Sequence, residues 1–213
     1  MKPHIAGMPT GALQTNCFVL GCPETMQAAV FDCGGNAAQL LALATDQGYE
    51  VTNVYLTHAH IDHVAGLNDL RSMTDAPFHL HKGDAPLWDQ APMQGRMFGY
   101  DIEALPPIDN WVEEGDEITV GELTGKVLFL PGHAPGHVIY YFEDFATAFS
   151  GDMLFAGSIG RVDLPGCNPA HMRESLKRMK NELPDSTRIL CGHGPETTLG
   201  VEKERNPFLT QDW

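Results

Sequence analysis

Thr57-His58-Ala59-His60-Ile61-Asp62-His63 puts four metal-ligating side chains within six residues. It follows a short apolar run, residues 51–56, which predicts a buried strand. It leads into a segment whose Val64, Leu67 and Leu70 have helical spacing, predicting a helix over about residues 62–73. In extended chain, residues two apart point the same way, so His58 and His60 can converge. Where the chain turns into the helix, Asp62 and His63 are aimed elsewhere. One short loop can therefore offer two pairs of ligands to two neighbouring ions, a concentration of polar groups that packing does not explain.

Three further segments share this design. Pro131-Gly132-His133-Ala134-Pro135-Gly136-His137 follows an apolar run ending at Leu130, Gly151-Asp152 follows one ending at Ser150, and Gly192-His193-Gly194-Pro195 follows one ending at Cys191. Glycine lets backbone come close to a site. Strand ends aimed at one place make a cleft at a sheet edge. Imidazole suits Zn²⁺, Fe²⁺ and related ions, and carboxylates suit bridging. A single catalytic Zn site needs only three protein ligands and a water. The set His58, His60, Asp62, His63, His133, Asp152 and His193 exceeds that and points to two divalent metal ions, with Zn expected and Fe or Mn as alternatives.

The chain has 213 residues, enough to bury a core without staples and consistent with a single domain spanning residues 1–213. Its formal charge of −15 disfavours nucleic acid, whose phosphates need Lys and Arg. No apolar run approaches the length needed to span a bilayer, so no membrane partner is expected. Residues 1–20 contain Pro3, His4, Gln14 and Asn16 and lack an apolar signal core, so a cytoplasmic protein is expected. Cys17, Cys22, Cys33, Cys167 and Cys191 are odd in number and form no CxxC, which argues against a disulfide framework and for small buried thiols. The partner is expected to be a small molecule, and the oligomeric state is open.

Along the chain, residues 14–20 and 27–31 read as strands joined by a turn at Gly21-Cys22-Pro23. After the glycine-rich Asp32-Cys33-Gly34-Gly35, Asn36 reads as the cap of a helix ending at Gly48. Residues 78–80 read as a strand. Residues 91–110 read as irregular and as a candidate lid. Residues 117–130 read as three short strands, residues 138–142 and 147–150 as a hairpin, and residues 188–191 as a last core strand. Asn168-Pro169 signals a helix start with Met172, Leu176, Met179 and Leu183 on one apolar face. Strands and helices thus fall into two similar groups, predicting an α/β (α+β) protein with two mixed sheets face to face and helices outside.

The HxHxDH, PGHxxGH, Gly-Asp and Gly-His-Gly runs, in this order, resemble the metallo-β-lactamase superfamily over nearly the whole chain. Gly151-Asp152-Met153-Leu154-Phe155 and Gly160-Arg161-Val162-Asp163-Leu164-Pro165-Gly166 resemble its glyoxalase II-like (hydroxyacylglutathione hydrolase-like) branch. Arg96-Met97-Phe98-Gly99, Gly192-His193-Gly194-Pro195 and Asn206-Pro207-Phe208 resemble the short single-domain members of that branch. The resemblance implies the four-layer αββα sandwich. It implies one ion on His58, His60 and His133, another on Asp62, His63 and His193, and Asp152 bridging them. It also implies hydrolysis of a thioester, S-lactoylglutathione or a related acyl-glutathione, by metal-bound hydroxide. A leaving thiolate, with a pKa of roughly 8.5–9, needs little acid help.

Asp62 and His137 are candidate catalytic residues. His137 fits no ligand slot and reads either as a support for a ligand or as a substrate-side group. Arg161 takes the family's basic substrate-binding slot, but Asp163 stands where an aromatic residue is expected. Arg161 therefore either meets a substrate carboxylate or pairs with Asp163. The helical domain that completes the glutathione pocket in full-length enzymes is expected to be absent. The alternative function is a mononuclear-iron persulfide dioxygenase, which shares ligands like His58, His133 and Asp152 and a GRxD run. A β-lactamase, a nuclease and a non-enzymatic metal binder are weaker readings. His4, His79, His81 and His171 are expected at the surface. Met93, Met97, Phe98 and Tyr100 are expected either at the pocket or in the packing.

Overall fold

The structure is a computed structural model that describes residues 2–211 and 213. Six strands form the first sheet in chain order: β1 (His4–Thr10), β2 (Thr15–Cys22), β3 (Gln27–Phe31), β4 (Glu50–Tyr55), β5 (Phe78–His81) and β6 (Asn110–Val112). β1 to β3 pair antiparallel, and β3 to β6 pair parallel. Six more form the second sheet: β7 (Glu117–Val120), β8 (Leu123–Phe129), β9 (Val138–Phe142), β10 (Thr147–Gly151), β11 (Arg188–Cys191) and β12 (Thr197–Thr198). Here only β10 and β11 run parallel. The helices are α1 (Ala37–Thr45), α2 (Ile61–Val64), α3 (Leu67–Met73), α4 (Ala85–Asp89), α5 (Ala91–Phe98), α6 (Pro169–Glu182), α7 (Leu199–Arg205) and α8 (Pro207–Thr210).

Alternation along the strands builds the layers. Successive strand residues face opposite sides. Val19 and Val30 pack under α1 with Leu40 and Ala44, while their neighbours Leu20 and Phe31 point between the sheets. In the second sheet Tyr140, Phe149 and Leu190 point between the sheets, and Ile139, Ala148 and Ile189 meet Met172, Leu176 and Met179 of α6. Three apolar layers thus separate four layers of structure, the expected αββα sandwich. Phe31 and Phe149, one from each sheet, stack with ring centroids 3.8 Å apart, and Tyr140 meets Phe31 edge-on. α6 starts as its sequence predicts, with the Asn168 side chain accepting from the amides of Ala170 and His171.

Several expectations need correction. The predicted helix over residues 62–73 is two short helices, α2 and α3, broken at Ala65-Gly66. A Cβ at Gly66 would lie 2.7 Å from the Gly35 nitrogen, and the Gly66 amide donates to the Cys33 carbonyl at 2.8 Å, so two backbone segments touch at this corner. Asn36 precedes α1 in a left-handed conformation (φ 53°) and does not cap it, because its side-chain oxygen accepts from the Gly11 amide. Residues 91–110 are only half irregular. Pro92 lies in the first turn of α5, and Gly99 ends the helix with φ 79°, so proline and glycine are start and stop signals here rather than breakers. Residues 117–130 hold two strands, not three. β1 and β6 had no sequence expectation. β1 is an edge strand with Gly7 and Pro9 in it, a composition that hides a strand from pattern reading.

Candidate metal centre

Four loops converge where the two sheets meet: those leaving β4, β8, β10 and β11. They bring together all seven predicted ligands. Ligand atoms of His58, His60 and His133 lie within 4.8 Å of one another, as do those of Asp62, His63 and His193, and those of His58, His63 and Asp152. His60 Nδ1 faces His133 Nε2 at 2.8 Å, and His193 Nε2 faces Asp62 Oδ2 at 3.1 Å. Asp152 reaches both triads, with Oδ2 3.4 Å from His133 Nε2 and 3.6 Å from His193 Nε2, and Oδ1 3.3 Å from His63 Nε2. Glycines make the approach possible. A Cβ at Gly192 would sit 2.2 Å from Asp152 Oδ1, and one at Gly160 would sit 2.9 Å from His133 Nδ1.

The surrounding hydrogen bonds choose which imidazole nitrogen faces inward. His63 Nδ1 donates to Asp32 Oδ2 at 2.8 Å, and His133 Nδ1 donates to the Arg161 carbonyl at 2.8 Å. Thr57 Oγ1 donates to Asp32 Oδ2 at 2.8 Å, which leaves that oxygen to accept from His58 Nδ1 at 3.0 Å. In each ring the hydrogen bond occupies Nδ1 and turns Nε2 to the centre as the nitrogen that would bind an ion, the usual arrangement of a supported metal ligand. His58 Nε2 is buried and has no hydrogen-bond partner among the described residues.

The charge balance makes the same point. Asp32, Asp62 and Asp152 cluster here, and their ion-pair partners among the described residues are all histidines. Burial, then His63, hold His58 well below its usual pKa, and burial with His133 brings His60 down to about 3. Burial lowers His133 as well. On the other side, burial opposes ionisation of Asp152 and Asp62. Even so, His63 holds both carboxyls below their usual range, helped at Asp62 by hydrogen bonds from His193 and Thr15. Burial also opposes charge on His63, but Asp152, Asp62 and Asp32 push it well above its usual value. The hydrogen bond to Asp62 raises His193. Three clustered carboxylates without a Lys or Arg partner among the described residues create a need for positive charge that divalent ions would meet. With inward nitrogens and buried oxygens as donors, the residues fit such ions.

Several residues that hold the site escaped the sequence reading. Asp32 accepts from the Thr57 amide at 2.8 Å as well as from His63 and Thr57 Oγ1. Its signal was present, an acidic residue opening a glycine-rich exit from an apolar strand. Asp84 is fully buried. One of its oxygens accepts from the Ala59 amide at 2.8 Å, and the other accepts from the Gly136 amide. It thus joins the loop of His58 and His60 to the loop of His133, and burial raises its carboxyl to about 6. No local pattern marked it. Thr15 Oγ1 donates to Asp62 Oδ2 at 2.8 Å. Asn16 pins the His193 loop through the Gly192 and Gly194 carbonyls.

His137 lies fully buried beneath the centre, where its Nε2 accepts from the Asp152 amide at 3.1 Å. It supports Asp152 and is not on the substrate side. Arg161 borders the cavity but grips Asp163 with two hydrogen bonds, 2.7 and 2.9 Å. Of the histidines expected at the surface, only His171 is exposed. His79 is half-buried against Tyr55 and bonded to Asn53, His81 stacks on Phe129, and His4 stacks on Tyr49. Alternation on a strand placed one face of β5 outward, but neighbouring aromatics cover it. Phe98 borders the cavity, Tyr100 packs on the core, and Met93 and Met97 are exposed. Four cysteines are buried and Cys167 is half-buried.

An all-imidazole triad beside an imidazole–carboxylate triad, at the strand ends of an αββα sandwich, defines a class of metal-dependent proteins. Residues 10–193 match the profile of the metallo-beta-lactamase superfamily, and the chain belongs to that family. It is 34% identical over 209 residues to the hydroxyacylglutathione hydrolase GloC of Haemophilus influenzae, covering 97% of this chain and 98% of that one. Among solved structures it resembles the B3 metallo-beta-lactamase BLEG-1 (35% identity, TM-score 0.88, 98% of this chain and 100% of that one). It also resembles TTHA1623 in a di-iron-bound form (41% identity, TM-score 0.84, 98% and 100%). Family and relatives together support a metal-dependent hydrolase. Among the described residues no helix is long and apolar enough to cross a membrane.

Proposed function

We propose that this protein is a dinuclear metal-dependent thioesterase. One ion is held by His58, His60 and His133, a second by Asp62, His63 and His193, and Asp152 lies between them. The observation that carries the reading is the reach of Asp152 to both triads. A complete second triad favours two ions over the single iron of a dioxygenase. Zn is the ion expected first, and the di-iron form of TTHA1623 keeps iron in view. Such a pair of ions supplies a water acidified to near neutrality and polarises an acyl carbonyl.

The rest falls to the chain. Asp32, Thr57 and the Arg161 carbonyl fix the imidazole tautomers, so the inward nitrogens are set before substrate arrives. His137 holds the Asp152 backbone, and Thr15 holds the Asp62 carboxylate. No side chain is required as a proton donor to the leaving group, because a thiolate leaves readily near neutral pH. The sequence resemblance and the GloC relative support an acyl-glutathione such as S-lactoylglutathione as the substrate to test first.

The test combines elemental analysis of the purified protein with thiol release from S-lactoylglutathione. Two ions per chain with chelator-sensitive turnover are expected. One iron per chain, with oxygen uptake on a glutathione persulfide and no hydrolysis, would overturn the proposal. A β-lactam is included as a third substrate because of the likeness to BLEG-1, and turnover of it without thioester cleavage would also overturn the proposal.

A further inference from the structure

A cavity of about 390 Å³ lies over the metal centre. The walls beyond the ligands are mostly apolar, formed by Leu13, Phe98, Phe155, Ile159 and Leu164, and among the described residues Arg161 is the one cation on them. Leu13 is 43% exposed and Phe98 40% exposed. Large apolar side chains left open around a polar centre mark a surface built to be covered by a ligand.

The two outermost pieces of wall are fixed relative to each other. The Ala12 amide donates to Tyr100 Oη at 3.2 Å, which ties the turn carrying Leu13 to the exit of α5, where Phe98 sits. Gln94, on the same helix, accepts from the Ile61 amide at 3.2 Å and so anchors the wall to the ligand loop. The apolar mouth is thus held in place over the centre.

Its charge is as informative as its shape. Glutathione carries two carboxylates and one ammonium, and a site that grips it offers cations to the carboxylates. Here Arg161 donates through Nε and Nη2 to Asp163, so its charge is already partnered, and the whole chain carries a formal charge of −15. A guanidinium already paired with a carboxylate attracts a second carboxylate less than an unpaired one does.

We propose that this site, read as a thioesterase, recognises its substrate through an apolar acyl chain lying against Leu13, Phe98 and Phe155, and is indifferent to the charges of the thiol half. The natural substrate class is then a thioester of a medium-length aliphatic acid. Hydrolysis breaks the acyl C–S bond, forms a C–O bond to the oxygen of water and yields an acid and a thiol, so no redox partner is needed.

Four esters test this on the metal-loaded protein: hexanoyl and lactoyl groups, each on glutathione and on uncharged N-acetylcysteamine. Burial of the extra methylenes predicts a kcat/KM at least about tenfold higher for hexanoyl than for lactoyl on either thiol. Exchanging glutathione for N-acetylcysteamine should change kcat/KM by less than about threefold, since the one cation on the described walls is already paired with Asp163. Phe98→Ala should reduce the hexanoyl-to-lactoyl ratio toward one. A lactoyl ester cleaved as well as hexanoyl, or a glutathione ester strongly preferred over its N-acetylcysteamine counterpart, overturns the proposal.

Calorimetric binding of hexanoate and lactate separates this idea from the thioesterase reading on which it rests. If no ester is cleaved, that reading fails. Tighter binding of hexanoate, with a negative heat-capacity change that Phe98→Ala diminishes, would still support the apolar site. Equal or absent binding of both acids would remove it.

Discussion

The two triads are built differently. His58, His60 and His133 are all imidazoles, all buried, and all held by loops that Asp84 staples together through backbone amides. Asp62, His63 and His193 mix charge types and come from more distant segments, and the His193 side chain is 31% exposed. The first group is neutral because burial and mutual repulsion remove its protons. The second is charged because carboxylates surround its imidazoles. One is a rigid neutral socket and the other a charged, more accessible one, so a dinuclear reading predicts two ions that differ in how they load and leave.

The largest disruption removes what the two sockets share. Asp152→Ala should lower kcat/KM by about a thousandfold or more and deplete both ions, measured by steady-state kinetics with elemental analysis. A single-socket variant comes next. His63→Ala should leave one ion per chain and cut hydrolysis on the order of a hundredfold, with the far-ultraviolet circular dichroism spectrum unchanged. Loss of both ions there would mean that the sockets are not separable.

Asp84→Ala targets the other socket without touching any ligand. Chelator competition should show binding at the first triad weakened about ten- to a hundredfold, and the second triad much less affected. Equal weakening of both would erase the proposed difference. The smallest effect is that of pH. Metal uptake displaces whatever protons the ligands hold. His58, His60 and His133 are lowered and neutral at pH 7, so loading them releases few protons. His63 and His193 are raised, so loading the second ion displaces more protons and that ion should be lost first as pH falls. Ion occupancy followed across a pH series checks this order.

All seven candidate ligands could be read from the chain because each stands in a short run directly after an apolar strand, and the runs of His133, Asp152 and His193 carry glycine as well, a local signal. The sandwich was legible for the same reason, since neighbours such as Val19 and Leu20 alternate between two layers. What supports the ligands was not. Asp84 acts on Ala59 and Gly136, and Thr15 acts on Asp62, across distances in sequence that no local pattern reports. The split of the 62–73 helix likewise depends on contact between Gly66 and Cys33. His79 and His81 looked exposed because alternation gives a residue's side of the sheet but not what covers that side.

The most direct measurement is anomalous diffraction from metal-loaded crystals. The account predicts two peaks, one among His58, His60 and His133 and the other among Asp62, His63 and His193, with Asp152 between them. A single peak, with Asp62 and His193 turned away from any ion, would contradict it.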